Sequence, residues 1–162
     1  MGYPGLSLVL GRKVEKPKPV DVLIDPTEEN DGHHFEMLAE VGAEEAGRLI
    51  VELESDPENT SFVPYKEEPF FSEISDYDEV VNLQHLEVEP EFRGQGVATK
   101  LMKAGLKEAK KRWSGIPCYI NASPMGGVMG LDQLVAFYEQ FGFKMLKRYP
   151  EFKNALLWKA KL

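Results

Sequence analysis

The sequence predicts one α/β (α+β) domain, a mixed sheet flanked by helices. Short runs rich in β-branched or aromatic residues, such as 20–24, 80–88 and 154–159, are interleaved with two stretches whose apolar residues recur at three- and four-residue steps. The order is several strands, helix, strand, helix, two strands, which is neither all-β nor a regular β-α alternation. The chain has 162 residues, 43% of them apolar, enough for one sizeable core. No repeat, low-complexity tract or break in composition marks a second domain.

Residues 1–17 are rich in Gly, Pro and Lys and read as a loose arm with room for a short strand at 6–10. A strand at 20–24 ends at Asp25-Pro26 and the polar, turn-prone stretch 27–32. The apolar runs 35–41 and 48–53 read as an antiparallel hairpin with a longer connection through 42–47. Residues 56–79 read as a long acidic, aromatic loop, a kind of segment that in a compact domain is usually functional or mobile. The strand 80–88 follows, with Val80, Val81, Leu83, Leu86 and Val88 as its apolar positions. Ala98, Leu101, Met102, Gly105, Leu106, Ala109 and Trp113 then form the stripe of an amphipathic helix, with lysines on its other face. Ser114-Gly115-Ile116-Pro117 ends it, and 118–120 is a short strand leading to a Gly- and Met-rich loop at 123–130. Leu131, Leu134, Val135, Tyr138 and Phe141 share the face of a second helix, stopped by Gly142. Residues 143–146 and 154–159 are the final strands, separated by Arg148-Tyr149-Pro150-Glu151.

Composition excludes several functions. No uninterrupted apolar run approaches the ~18–20 residues that span a bilayer, and the stretch 5–11 is short and lacks a basic leader. The expectation is a soluble, cytoplasmic protein without a membrane partner. Cys118 is the only cysteine, so an intrachain disulfide and a cysteine-based zinc site are excluded; His33-His34, without a further cluster, reads as a polar turn. No metal is predicted. A net charge of −8 argues against a nucleic-acid partner. The charges are segregated: residues 56–79 hold eight acidic residues and one lysine, and residues 93–112 hold seven basic residues and one glutamate. The basic run suits an anionic cofactor and the acidic run a cationic substrate, although each also reads as a solvated face.

The chemistry concentrates in Leu86-Glu87-Val88-Glu89-Pro90-Glu91-Phe92-Arg93-Gly94-Gln95-Gly96-Val97-Ala98-Thr99, a strand running into a glycine-rich turn that opens a helix. Such a turn points backbone N–H groups inward, and the new helix adds unpaired N–H groups and the positive end of its dipole. The backbone amides from Gln95 to Thr99, the Thr99 hydroxyl and the Arg93 charge are the candidate phosphate donors. A dinucleotide fingerprint would need glycine where Thr99 stands, and a Walker A loop would need Gly-Lys-Ser/Thr, whereas Thr99-Lys100 runs in the wrong order.

Arg93-x-x-Gly96-x-Ala98 after Leu86-x-Val88 resembles the acyl-CoA signature of the GNAT superfamily of N-acyltransferases, and Phe137-Tyr138-Glu139-Gln140-Phe141-Gly142-Phe143 resembles its second signature. The match runs from Val80 to the C-terminus. It implies a mixed, mostly antiparallel central sheet in which the strand at 80–88 splays from its parallel neighbour; the family's early acceptor-site helices read as reduced here, since none is obvious between Ile24 and Phe35. It implies acetyl-CoA (coenzyme A) as co-substrate. Its pyrophosphate would lie on Arg93, Gly94, Gln95, Gly96, Val97, Ala98 and Thr99, its pantetheine on the backbone at Leu86 and Val88, and its thioester near residues 82–86. Tyr138 would be the general acid for the leaving thiolate, and Glu87 or His85 the base. Plain alternation puts His85 and Glu87 on one face and Gln84, Leu86 and Val88 on the other, a phase that a bulge would change. The family commonly has an Asn where Leu131 stands, and Asn121, at the end of its strand, is the candidate to take over that pantetheine contact. The acidic loop would wall the acceptor site through Tyr65, Glu67, Glu68, Phe70 and Phe71. The implied activity is N-acetylation of a primary amine, carried by a small molecule or peptide and cationic in character, with a non-catalytic coenzyme A-binding or adaptor module as the alternative. A homodimer is compatible with the resemblance.

Overall fold

The computed structural model describes residues 18–25, 32–55, 66–124 and 129–162. Strands form where apolar residues alternate: β1 (Val20–Ile24), β2 (His34–Val41), β3 (Glu44–Ser55), β4 (Glu79–Val88), β5 (Cys118–Ala122), β6 (Lys144–Tyr149) and β7 (Asn154–Lys159). Helices form where the period lengthens: α1 (Phe71–Ser75), α2 (Val97–Arg112) and α3 (Leu131–Glu139). The strands make one sheet in the order β1-β2-β3-β4-β5-β7-β6. Every pairing is antiparallel except β4 with β5.

One face of the sheet carries the main core. Leu101, Met102 and Ala109 of α2 and Val135 and Tyr138 of α3 pack there with Phe35, Leu49, Val51, Val81, Leu83, Ile120 and Leu157 from the strands. The opposite face holds a smaller cluster in which Ile74 of α1 meets Val80, Tyr119, Leu156 and Trp158. Burying a Leu- or Phe-sized side chain contributes ~1.5–3 kcal/mol, so the α2–α3 face supplies most of the stabilisation.

Three connections differ from the expectations. The β2–β3 link is a tight turn rather than a long connection: Val41 pairs with Glu44, and Gly42, at φ 68°, accepts the left-handed backbone that so short a turn demands. A bulge between Ala39 and Glu40 absorbs the odd residue, so that Ala39 faces Gly47. Residues 71–75 of the expected loop form α1, because Ile74 finds an apolar site beneath the sheet. Residues 56–65, Tyr65 among them, lie outside the described residues, as does the arm 1–17 with its strand at 6–10. β6 runs on to Tyr149, and a turn of 3₁₀ helix (Pro150–Phe152) then leads into β7. β1 and β2 are hydrogen-bonded neighbours, and among the described residues no helix stands between them; residues 26–31 lie outside the described residues. Among the described residues no helix is long and apolar enough to cross a membrane.

Candidate active site

The site begins at an irregularity in β4. Val51 pairs with Leu83 but Ile50 with His85, so Gln84 is an extra residue that forms a bulge. Leu83 and Leu86, three apart, consequently both join the α2–α3 core, as do Val81 and Val88. Plain alternation fails here: Gln84 does not share a face with Leu86 and Val88 but donates from Nε2 to Glu52 across the β3 ladder.

Beyond the bulge β4 leaves its neighbour. The parallel ladder with β5 has two rungs, Val81 with Cys118 and Asn82 with Tyr119, although β4 continues to Val88 and β5 to Ala122. The backbone groups of β4 that face β5 after this fork are free to pair with a ligand, as an exposed sheet edge pairs with an added strand.

At the far end of β4, a 3₁₀ turn (Pro90–Phe92) leads to Arg93, Gly94 and Gly96. Arg93 Nε donates to Val88 O at 3.2 Å, tying the turn to the strand end. Gly94 and Gly96 have φ of 81° and 80°, left-handed values that favour glycine, and a Cβ on either would meet nothing within 4 Å. The glycines therefore serve the backbone path and leave open space before it. The first bond of α2 runs from Lys100 N–H to Gly96 O, so the N–H groups of Val97, Ala98 and Thr99 have no acceptor within the helix. Three N–H groups at a positive dipole end, beside an arginine, suit a diphosphate.

Fork and turn open into one cleft of about 590 Å³. Leu86, Val88, Arg93, Gly94, Gly96, Val97, Ala98, Thr99 and Tyr138 all line it, together with His85 and Glu87. Two expected residues lie elsewhere. Gln95 turns back to donate to Glu91 O at 3.4 Å, and Asn121 accepts from Asn154 Nδ2 at 2.8 Å; neither side chain is part of the cleft wall. Sequence reasoning missed Phe92, Ser123, Pro124, Met129, Leu134 and Phe137 as further wall residues. Phe137 and Leu134 carried a signal, since they flank Tyr138 on its helix. Ser123 and Pro124 carried none, because their place depends on how far β5 diverges.

Tyr138 is 7% exposed and packs edge-to-face on Phe137 and Phe143, with ring centroids 5.3 and 6.4 Å away. This burial pushes its phenol up to about 12. His85 Nε2 and Glu87 Oε2 are 3.1 Å apart at the cleft. Cys118 is fully buried in β5, and burial pushes its thiol well above the usual range. Of the expected acceptor wall, Phe70 and Phe71 pack against the α1 cluster and Glu68 binds Lys147 Nζ at 2.8 Å. Neither these residues nor Glu67 line the cleft.

A strand that forks from its parallel neighbour, ending in an anion-binding turn, agrees with what the comparisons give. Residues 36–159 match the family model described as an acetyltransferase (GNAT) domain. The chain belongs to the GNAT acetyltransferase family. No curated protein matches this GNAT sequence. Solved structures do match its fold. An acyl-CoA N-acyltransferase from Pseudomonas aeruginosa is 18% identical, with a TM-score of 0.55 over 88% of this chain and 100% of that one. A GNAT family acetyltransferase from Elizabethkingia anophelis with acetyl-CoA bound is 13% identical, with a TM-score of 0.54 over 90% and 99%. The PaiA N-acetyltransferase of Thermoplasma acidophilum, in complex with coenzyme A, is 14% identical with a TM-score of 0.52; the alignment covers 79% of this chain and 61% of that chain's length. At these identities the likeness concerns the fold.

Proposed function

We propose that this GNAT protein transfers an acetyl group from acetyl-CoA to a primary amine by direct attack in a ternary complex. The observation that carries the reading is the convergence of the forked β4 edge, the Arg93–Thr99 turn and Tyr138 on one cleft. The residues present fit the coenzyme. The turn offers amides to a pyrophosphate, and β4 offers backbone donors and acceptors at Leu86 and Val88 to a chain of amides. When bound, the coenzyme supplies an activated thioester. The protein must then admit a neutral amine, stabilise charge on the carbonyl oxygen and protect the leaving sulfur. A backbone N–H near Leu86 serves the oxygen, and the Tyr138 hydroxyl, still protonated at neutral pH, serves the sulfur as general acid. His85 or Glu87 on the cleft wall accepts the amine proton, directly or through water. The acceptor is a small-molecule or peptide amine.

A free-thiol release assay with acetyl-CoA against a diverse amine library tests the proposal. Amine-dependent release of coenzyme A is the expected result. Tight acetyl-CoA binding with no thiol release for any amine would overturn it in favour of a coenzyme A-binding module.

A further inference from the structure

The cleft wall holds one group whose chemistry acetyl transfer does not use, the thioether of Met129. Among the described residues that line the cleft, Met129 carries the only sulfur. Sulfur is where peroxides attack a protein first, and access decides which sulfur atoms are reached. Access divides the sulfurs of this chain. Cys118, Met37 and Met102 are buried in the core between the sheet and α2–α3. Met129 is 39% exposed, and Met145 on β6 is 36% exposed but does not line the cleft. Met1 and Met125 lie outside the described residues.

The position of Met129 is fixed from its C-terminal side. The next residue, Gly130, gives its N–H to Gln133 Oε1 at 3.2 Å, and its carbonyl accepts from Leu134 N–H at 3.0 Å. The backbone beside Met129 is thus tied to the first turn of α3, and Leu134 and Phe137 of that helix line the same wall. A thioether suits such an apolar wall; a sulfoxide does not. The sulfur lone pair attacks one peroxide oxygen, the O–O bond breaks, and the second oxygen leaves as water. Sulfur loses two electrons and the peroxide gains them, so the thioether and hydrogen peroxide give the sulfoxide and water with nothing left over. The new oxygen is a strong acceptor, and a ligand that covers it beside Leu134 and Phe137 must strip its water.

We propose that Met129 is an oxidation site, at which a peroxide converts the thioether to the sulfoxide and thereby lowers the affinity of the cleft for coenzyme A. The effect on affinity rests on the reading of this cleft as the coenzyme site; the oxidation of Met129 does not.

The test treats the full chain with a small excess of hydrogen peroxide, with and without acetyl-CoA, which has no free thiol to consume the oxidant. Catalase ends the reaction, and fragmentation mass spectrometry assigns each added oxygen to a residue. Met129 and Met145 should be oxidised well before Met37 and Met102. Acetyl-CoA at about ten times its Kd should slow Met129 about tenfold and leave Met145 unchanged. After removal of ligand, isothermal titration should give a Kd for acetyl-CoA about fivefold to tenfold above that of untreated protein. That ratio should fall to about one in Met129→Leu, which has no sulfur to oxidise there, and keep its wild-type value in Met145→Leu. Equal oxidation of Met129 with acetyl-CoA bound, an unchanged Kd after Met129 is fully oxidised, or an equal ratio in Met129→Leu would overturn the proposal. Failure of the coenzyme reading looks different: untreated protein gives no titration with acetyl-CoA, and the effect on affinity falls with it.

Discussion

Tyr138 is held by rings on two sides, and its hydroxyl stays protonated to about pH 12. A phenol so placed gives a hydrogen bond to a sulfur gaining negative charge without ionising itself. Replacing Tyr138 by Phe is expected to lower kcat by about 100-fold, the lower range for a lost acid–base group, with coenzyme affinity nearly unchanged in a titration. Its burial also has a signature in stability. Below pH 10 the phenol is neutral in folded and unfolded chains alike; above pH 10 the unfolded chain ionises first, so stability falls as pH rises towards about 12. Between pH 9 and 11, chemical denaturation should show the wild type losing about 1 kcal/mol more than Tyr138→Phe. At Gly96 the constraint is the backbone, whose φ of 80° strains any other L residue, and the space before it is open. Gly96→Asp puts a carboxylate into that space. Isothermal titration should then detect no coenzyme A binding, while the thermal transition falls only slightly, as a strain of ~1–3 kcal/mol dictates.

At the scale of elements, the bulge at Gln84 deserves a direct test by deletion. Without Gln84, β4 pairs one-to-one with β3, and Leu83, Leu86 and Val88 still face the helices, because the lost residue is the one that interrupted the alternation. The variant should fold with a thermal midpoint close to that of the wild type yet bind coenzyme A at least about tenfold more weakly, since the bend that separates β4 from β5 goes with the bulge. The bulge also shows how far the sequence could be read. The three-residue step from Leu83 to Leu86 was visible, but a missed beat in a strand has several explanations until its partner's register is known. Both long helices were legible because α2 and α3 bury one stripe each. The short α1 was not, because five residues have no period and Ile74 becomes helical only through its site under the sheet. The glycine turn and Tyr138, read as candidates from local sequence motifs, do line one cleft. The cleft positions of Ser123 and Pro124 arise from the divergence of two strands, a relation no local window contains.

Across the whole molecule, the core lies between the sheet and α2–α3, and the cleft opens at one end of that layer. The one thiol, Cys118, is enclosed within it and burial pushes its thiol up, which disfavours a covalent acetyl-cysteine route and favours the proposed direct transfer. Steady-state kinetics with both substrates varied should therefore give intersecting lines. Cys118→Ala should retain turnover, and intact mass measurement after acetyl-CoA alone should show no added acetyl group. Parallel lines together with an acetylated protein would sink direct transfer.

The two-rung ladder between β4 and β5 makes the sheet carry, in its interior, the kind of raw margin that proteins normally cap or charge at their periphery. Under the proposed reading, coenzyme A lying along that margin would pair backbone groups that β5 leaves unmatched, so its addition is expected to raise the thermal midpoint of the folded chain, and an unchanged midpoint at saturating coenzyme A would count against it.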